Sequence, residues 1–354
     1  MLAFVSKRLF YGIAVLILVT VLVSSIIYLA PVDAARLTFG QRTDAVSLDL
    51  KRQELGLDQP LPVQLLWYLN DLSPISAYRD RPGIRETYRF LPLLTIAQWQ
   101  VGIKPPYLRR SYQSGRRVSE LLAKAIPRTL LLATAAILLA IALGIPLGIL
   151  AALRYRNAAD HIIITASTLG YSTPSYVSAM LLALVFGFAL HDWTGLDVRG
   201  GITQLATSGP DFGREVIVWK NLLLPSIALG IRPVAIIAQL TRSAMLDVLS
   251  ADYIRTARAK GLSHHMIVLR HALPNALNPV ITAISGWFAA LLAGAFFVEN
   301  VFAFQGLGSL TVNALLNIDL PVVLGSVIVT ALFFILVNLL ADILYRIANP
   351  AISP

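Results

Sequence analysis

The sequence predicts an all-α integral membrane protein with six transmembrane helices, and two observations predict it. Of the 354 residues, 56% are hydrophobic and 14% are charged, whereas a soluble domain carries about 25% charged residues. The apolar residues also lie in uninterrupted runs of about 20 or more, the length that a helix needs to cross a bilayer. Polar and apolar residues do not alternate as they would in a membrane barrel, so these runs are predicted to be helices.

Six apolar segments supply the predicted helices. Five contain no charged residue, and the remaining one is interrupted only by Arg232. The first segment follows Lys7 and Arg8, as in a signal peptide. Its 22 residues exceed the roughly 7–15 of a cleaved signal, so it is interpreted as an uncleaved anchor. In chain order the segments are Leu9–Ala30, Thr129–Leu153, Ile162–Leu190, Asn221–Thr241, Ala272–Val298 and Leu320–Ala341.

The distribution of Lys and Arg between the short loops predicts the orientation. With both termini in the cytoplasm, ten basic residues lie on that side, and only three lie in the short outer loops at about 191–220 and 299–319. Lys and Arg residues near helix ends that face anionic membrane lipid then explain the net charge of +10. No nucleic-acid partner is therefore expected. The inner residues are Lys7, Arg8, Arg154, Arg156, Arg242, Arg255, Arg258, Lys260, Arg270 and Arg346, and the outer ones are Arg199, Arg214 and Lys220.

The predicted organisation has three parts. An N-terminal stub with the first helix covers 1–30, an extracytoplasmic loop region covers 31–125, and a five-helix core covers 126–354. Leu61, Leu65, Leu69 and Leu72 follow Pro60 at helical spacing, so a short amphipathic helix is expected in the loop region. The stretch at about 73–110 is rich in Pro and Arg, and it is interpreted either as a surface for an external partner or as a solvated cap.

The segment at about 242–275, between the fourth and fifth spans, is charged and contains small residues. Ser250 is expected to cap a helix over Asp252–Ala259, and Gly261 is expected to end it in the left-handed conformation. Ser263 is expected to cap a second helix that runs toward Leu273-Pro274.

This short helix has the composition of a docking site. Ala257 and Ala259 would let a partner approach closely, and Arg255 and Arg258 offer planar donors to a partner's carboxylates. The alternative is an ordinary connecting loop, because short basic loops are common on the cytoplasmic side.

The same segment resembles the cytoplasmic loop of ABC importer permeases, whose general pattern is Glu-Ala-Ala, three residues, Gly, nine residues, Ile-x-Leu-Pro. The spacing from Gly261 to Leu273-Pro274 matches, but Arg255-Thr256-Ala257 stands at the start and His271 in the place of Ile. These departures are typical of the dipeptide, oligopeptide and nickel branch, and the chain is similar to its first permease type.

The resemblance covers most of the chain apart from about 73–110. The stretch from Lys7 to Pro31 is similar to the family's first span, and Val118–Leu153 to its second. GLDQPLPVQLLWYL (Gly56–Leu69) is similar to the loop motif between them. ENVFAFQGLG (Glu299–Gly308) has Gln305 where the family has Pro, and DILYRIANPAI (Asp342–Ile352) has Asn349 where Asp is usual.

The resemblance implies a type I ABC importer permease fold in a bacterial cytoplasmic membrane. It implies a second, related permease subunit, two ABC ATPase subunits and an external substrate-binding protein as partners. No cofactor is expected in this chain, because ATP and Mg²⁺ would belong to the ATPases. The residues expected to dock the ATPase are Asp252, Tyr253, Arg255, Thr256, Ala257, Arg258, Ala259, Lys260, Gly261, Leu273 and Pro274.

Four further residues are candidates for the translocation path or a gate. A charged Arg232 inside a span costs about 2.5–3.5 kcal/mol on insertion scales, so it is expected to line the path or a subunit interface, or else to snorkel toward the membrane surface. Pro225 and Pro233 are expected to bend or break its helix. The resemblance implies an outer re-entrant or gate element at Glu299, Gly306 and Gly308, and a simple turn is the alternative.

Several chemistries are excluded or disfavoured by what the sequence lacks. It contains no Gly-Lys dipeptide and hence no phosphate-binding P-loop, no His-Glu-x-x-His or Gly-x-Ser-x-Gly motif, and no cysteine. His264 and His265 are adjacent and make a poor metal pair on a helix. An ion-driven secondary transporter would need inverted repeats and buried carboxylates, and neither is evident. A catalytic role is not expected, and a nickel chelate remains an alternative substrate to peptides.

Overall fold

Helices form most of the chain in the computed structural model, which describes residues 2–29, 49–50, 52–53, 57–79, 84–198, 201–205 and 214–348. Five helices in these ranges are long and apolar enough to cross a membrane. They are Val5–Leu29, Val118–Leu153, Trp219–Leu249, His264–Leu292 and Leu320–Ile343. A sixth span is obtained if a bent pair of helices counts as one, which agrees with the six predicted spans. The end of the first predicted span at Ala30 and the C-terminal residues from Asn349 onward lie outside the described residues.

The elements are numbered here in chain order. The first part contains α1 (Leu2–Leu29), α2 (Leu61–Leu72), β1 (Ile75–Arg79), α3 (Ile84–Tyr88), β2 (Leu91–Ile96), β3 (Trp99–Ile103) and α4 (Val118–Leu153). The next part contains α5 (Ala158–Ser172), α6 (Ser175–Leu182) with a π-helical extension (Ala183–Ala189), α7 (His191–Thr194), β4 (Thr203–Leu205) and β5 (Glu215–Ile217). After a 3-10 turn (Trp219–Leu222) come α8 (Leu223–Leu249), α9 (Asp252–Ala259), α10 (His264–Met266), a π-helical segment (Ile267–Ala272), α11 (Leu273–Val301), α12 (Leu307–Leu316) and α13 (Leu320–Ala348).

The third predicted span, Ile162–Leu190, is not one straight helix. It consists of α5 and the continuous α6 with its extension, and these two pieces are bent by 104°. The break lies at Thr173 and Pro174, where Thr173 has an extended backbone. Proline restricts the preceding residue to extended conformations, which explains why α5 ends there.

The prolines of the fourth span do not break its helix, although a break is one of the two outcomes predicted for them. The helix α8 runs from Leu223 to Leu249 without a break through Pro225 and Pro233. Pro225 lies in the first turn, where a backbone N–H has no acceptor within the helix, so its missing donor costs little. Only Pro233 lies in the helix interior.

The chain divides into two compact units, 1–125 with 310–332, and 126–309 with 333–354. The first unit contains an antiparallel sheet in the order β1-β3-β2, within the Pro- and Arg-rich stretch whose strands the sequence reading did not predict. The predicted amphipathic helix is confirmed as α2, whose Tyr68 is fully buried beside Leu324 and Ile328. Residues 80–83 of the Arg-rich stretch lie outside the described residues.

Asp71, at the end of α2, organises the polar contacts of the first unit. Its carboxylate pairs with Arg109 Nε at 2.9 Å and accepts a hydrogen bond from the Tyr78 hydroxyl at 3.0 Å. Its carbonyl accepts one from Lys104 Nζ, and burial lowers the pKa of the Lys104 ammonium. Arg109 Nη1 also donates to the Tyr28 hydroxyl at 3.2 Å, so the sheet is attached to the end of α1.

The second unit is built around α8. A cluster of buried apolar residues joins α4, α8 and α11, with Ile237 and Val280 fully buried. A Cβ added to Gly148 would lie 2.5 Å from Thr241 Cβ, and one added to Gly144 would lie 2.8 Å from Ile237 Cγ2. The small residues therefore allow α4 and α8 to pack closely, as their four-residue spacing predicts.

Candidate functional site

The segment 242–275 folds as a short helix between two long ones, with the predicted bounds. After α8 ends at Leu249, Ala251 adopts an extended backbone and α9 begins at Asp252. The predicted cap is wrong, because Ser250 Oγ donates to the carbonyl of Asp247 at 2.7 Å and α9 has no side-chain cap. Ser250 itself has a helical backbone and belongs to the end of α8, one residue too early to cap α9.

The end of α9 agrees with the prediction for Gly261. Its φ of +74° lies in the left-handed region, and its N–H donates to the Arg258 carbonyl at 3.0 Å. No heavy atom lies within 4 Å of the position that a Cβ on Gly261 would occupy, so the backbone conformation, rather than space, requires glycine here. Ser263 then accepts a hydrogen bond from Met266 N at 3.4 Å, which confirms it as the cap of the next helix.

Two residues attach α9 to the rest of the second unit. Ile254 is completely buried and Ala257 is 7% exposed, in one cluster with Met245 of α8 and Ile267 and Ala272 of the π-helical segment. The expectation that Ala257 lets a partner approach is therefore wrong: at an i, i+3 spacing from Ile254, it faces inward. Together they fix α9 to the elements on either side of it.

The opposite face of α9 is open. Arg255 pairs only loosely with Asp252, at 3.3 Å, and their side chains are 77% and 95% exposed. Tyr253 is half-exposed, and its hydroxyl accepts a hydrogen bond from Asn275 Nδ2 at 3.1 Å. Of the other predicted docking residues, Leu273 is partly buried beside α9, whereas the exposed ones are Thr256, Arg258, Ala259, Lys260, Gly261 and Pro274.

An ion pair that the sequence reading missed lies close to this loop. Asp160, in the first turn of α5, is 2% exposed and accepts two hydrogen bonds from Arg242 of α8, at 2.5 and 2.7 Å. Arg156 N donates a third at 3.0 Å, and the Arg242 guanidinium lies 5.3 Å from the centre of the Tyr155 ring. The bidentate pair joins the start of α5 to α8 a few residues before α9.

Replacing Asp160 with asparagine is expected to lower the free energy of unfolding by about 2 kcal/mol. The amide keeps the shape of the carboxylate but removes the charge that holds Arg242 through two donors. Thermal unfolding of the purified protein in detergent measures the change. An unchanged midpoint would show that the pair contributes nothing to stability.

A buried carboxylate lies at the end of α11. Glu299 is fully buried and accepts hydrogen bonds from the Thr129 hydroxyl at 2.6 Å and from Ser309 N at 3.0 Å. The Thr129 oxygen in turn accepts one from Leu307 N at 2.7 Å. The carboxylate therefore takes the place of backbone acceptors at the start of α12, where the first N–H groups have no partner within the helix.

The two candidate glycines surround this carboxylate. A Cβ on Gly306 would lie 2.3 Å from Glu299 Oε1, and one on Gly308 would lie 2.5 Å from the Cα of Phe296. The structure thus brings Glu299, Gly306 and Gly308 together in a tightly packed turn. This turn is packed around the buried carboxyl group, so it differs from the simple turn that is the alternative prediction.

Arg232 lies apart from this turn, in the interior of α8. Its guanidinium carbon lies 5.4 Å from the centre of the Tyr171 ring and 5.7 Å from that of Trp287. Its Nε is buried and has no hydrogen-bond partner among the residues that the structure describes. The two rings contact each other edge to face, with centres 6.5 Å apart, and the guanidinium lies against both of them within the second unit.

The described residues contain no group of three or more His, Asp or Glu side chains that could hold a metal ion. His264 and His265 are both exposed at the start of α10. These ranges therefore contain three site features. They are the helix α9 with one open face, a turn around the buried Glu299 carboxyl group, and Arg232 beside two aromatic rings.

Apolar spans with a short, open helix between two of them are an arrangement expected of a membrane transport subunit. The chain belongs to the family described as the inner membrane component of binding-protein-dependent transport systems, whose model matches residues 144–354. The model of the N-terminal part of such components matches residues 1–83. The chain is therefore the permease subunit of an ABC importer, a multi-pass inner-membrane protein of a system that includes ATPase and binding-protein partners.

Full-length relatives and a solved structure agree with this assignment. The chain is 37% identical to the glutathione transport system permease protein GsiC of Salmonella typhimurium (strain LT2) and 36% identical to that of Escherichia coli (strain K12). Both matches extend over 352 residues, 99% of each chain. The methionine ABC transporter MetNI in an inward-facing conformation matches with a TM-score of 0.50 at 18% identity, over 64% of this chain and 96% of that one, which supports the type I importer permease fold.

Proposed function

We propose that this chain forms half of the translocation pore of an ATP-driven importer for peptides or small peptide-like solutes, and that α9 is the helix on which an ATPase subunit docks. The proposal for α9 is supported by its two faces. Buried Ile254 and Ala257 fix the helix to its neighbours, while Arg255 and Arg258 are exposed.

This arrangement is suited to transmitting force. ATP binding would draw two ATPase subunits together and move the helices docked on them. Because α9 shares a buried cluster with α8 and with the π-helical segment before α11, its displacement would move both spans. The pore would thereby switch between access from outside and access from the cytoplasm.

The proposed assembly contains a second permease subunit, either a homologue or another copy, two ATPases that bind ATP and Mg²⁺, and an external binding protein that delivers the substrate. Both termini and α9 are on the cytoplasmic side, and the three-stranded sheet β1-β3-β2 is on the outer side. This chain has no ATPase site of its own and acts as a transport subunit. The substrate class is supported by the relatives, which are glutathione transport permeases, and by the RTARAKGL stretch at Arg255–Leu262.

Purification of the tagged chain from its native membrane in mild detergent tests the assembly. Mass spectrometry is expected to find a second multi-span permease and P-loop ATPases in the complex. Recovery of the chain alone, or as a homo-oligomer without an ATPase, would contradict the proposal and favour a self-sufficient transporter.

A further inference from the structure

We infer that Arg232, which lies against the rings of Tyr171 and Trp287, is a binding site for the terminal carboxylate of the substrate inside the pore. The inference rests on the proposed function, because it requires that a peptide-like solute passes along this part of the chain. It assigns an acceptor to a guanidinium for which the described residues provide aromatic contacts but no hydrogen-bond acceptor.

A charged side chain at the position of Arg232 costs free energy, which a function of the residue would explain. It lies near the middle of the span Trp219–Leu249, about 20 Å along the helix from Trp219 at 1.5 Å per residue. Ionisable residues at this depth face the bundle interior or a water-filled cavity. Its head group lies against the rings of Tyr171 and Trp287.

The two rings leave the donors of the guanidinium available. Aromatic rings interact with the face of a guanidinium, whereas its N–H groups point outward in its plane. The buried Nε has no acceptor in the part of the chain that the structure describes. Because this Nε is closed to solvent, a substrate carboxylate would bind the two terminal nitrogens, Nη1 and Nη2, for which the structure gives no acceptor among the described residues, through two parallel hydrogen bonds.

The surroundings of Arg232 have the features of a transport path. Tyr171 is nearly the last residue of α5, directly before the 104° bend at Thr173 and Pro174. Irregular backbone at membrane depth is tolerated only where it is buried in protein or lines a cavity. Substrate sites of membrane transporters lie near the midplane beside such discontinuous helices.

The same end of α5 exposes polar groups. Thr168, Tyr171 and Ser172 lie at i, i+3 and i+4 spacing, so they form one strip, and all three are exposed. The Thr168 hydroxyl is bonded only back to the Ile164 carbonyl of its own helix, at 2.9 Å. A polar strip at this depth favours a water-filled path rather than contact with lipid. Such a path would bring water and a polar solute to the Tyr171 ring, which lies over Arg232.

Binding of trialanine and of trialanine amide to the permease–ATPase complex in nanodiscs, without the binding protein, tests the inference. The two peptides differ only in their C-terminal group, so the ratio of their dissociation constants isolates the carboxylate. The wild-type complex is expected to bind the acid about tenfold more tightly than the amide. Arg232→Gln is expected to remove the difference, and Arg232→Lys to retain part of it, because lysine keeps the charge but not the planar fork.

Two further variants separate recognition from structure. Arg154→Gln removes an exposed arginine outside the site and is expected to keep the wild-type ratio. Tyr171→Leu removes one ring but keeps Arg232, and it is expected to weaken binding of the acid more than that of the amide.

Equal affinity of the wild-type complex for both peptides, or binding of neither, would overturn the inference. It would also be overturned if Arg232→Gln kept the preference for the acid, or if it released the second permease, which would make Arg232 an interface residue. Failure of the proposed function is a separate outcome, because it would appear earlier, as a complex that contains no ATPase.

Discussion

Replacing Gly308 with alanine is expected to lower the free energy of unfolding by about 3 kcal/mol and to abolish transport. The added Cβ would lie 2.5 Å from Phe296 Cα and 2.9 Å from Phe296 N, which are backbone atoms of α11 and cannot rotate away. The turn must therefore move as a whole. Its displacement would separate Ser309 N from the Glu299 carboxyl group, now 3.0 Å apart, and leave a buried polar group with fewer donors.

Gly286→Ala is the matched control for this substitution. Gly286 lies in α11, the helix that Gly308 approaches at Phe296, and no heavy atom lies within 4 Å of the position of its added Cβ. Alanine there is expected to be neutral or to stabilise the helix by up to about 1 kcal/mol. The two variants make the same chemical change, so a difference between them measures the packing around the Glu299 turn.

Thermal unfolding in detergent and import by proteoliposomes measure the two consequences. The midpoint of the Gly308→Ala variant is expected to fall by about 6 °C or more, and that of Gly286→Ala to stay within about 2 °C of the wild type or rise. If both variants unfolded at the wild-type temperature, the close approach of the turn to α11 would have no energetic importance.

The local features of this chain could be predicted from its sequence because each depends on residues close together along it. The bounds of α9 follow from Asp252 near its start and from Gly261 beyond its end, within one short segment. The apolar runs are equally local, since a bilayer imposes its thickness on every helix separately. The bend at Pro174 also has a local signal, which is a Thr-Pro pair inside the apolar run that is predicted to be one helix.

The contacts that sequence reasoning missed join residues that are far apart in the chain. Asp160 and Arg242 are separated by 82 positions, and Thr129 and Glu299 by 170. A single carboxylate in a sequence does not indicate whether its partner is water or an arginine from another helix. Only the packing of α5 and of α4 on their neighbours decides this, so the buried role of Glu299 could be proposed only as a candidate and Asp160 was not proposed at all.

The strands of the first unit were missed for a different reason. β2 contains Pro92, and four of its apolar residues, Leu91, Leu93, Leu94 and Ile96, are more than half exposed, so polar and apolar positions do not alternate. Its pairing with β3 is also interrupted between Pro92 and Leu94. The period of two that identifies a half-buried strand is therefore absent.

Reversing the charge of both Arg255 and Arg258 to glutamate is expected to weaken binding of the ATPase about a thousandfold. Both side chains lie on the exposed face of α9, and an arginine at the centre of an interface contributes about 2 kcal/mol or more, so two such losses amount to about 4 kcal/mol or more. The reversal should leave the permease folded, because the attachment of α9 depends on Ile254 and Ala257, which it does not touch.

A matched charge reversal elsewhere controls for the change in net charge. Lys7→Glu with Arg154→Glu alters the charge by the same amount at two exposed residues that are predicted to face the cytoplasm. Co-purification of the ATPase should be lost in the Arg255 and Arg258 variant and retained in this control. Wild-type binding should also weaken as the salt concentration rises, because exposed charge pairs are screened.

Ile254→Ala distinguishes the docking face from its attachment. It removes a fully buried side chain and is expected to cost about 2–5 kcal/mol locally, so α9 would lose its fixed position while Arg255 and Arg258 keep their charge. Hydrogen exchange of α9 should therefore increase in this variant and stay unchanged in the charge reversal. If the ATPase bound the charge-reversed permease as tightly as the wild type, the docking site would have to lie outside α9. If binding of the ATPase was lost only with Ile254→Ala, recognition would depend on the shape of the loop rather than on its two arginines.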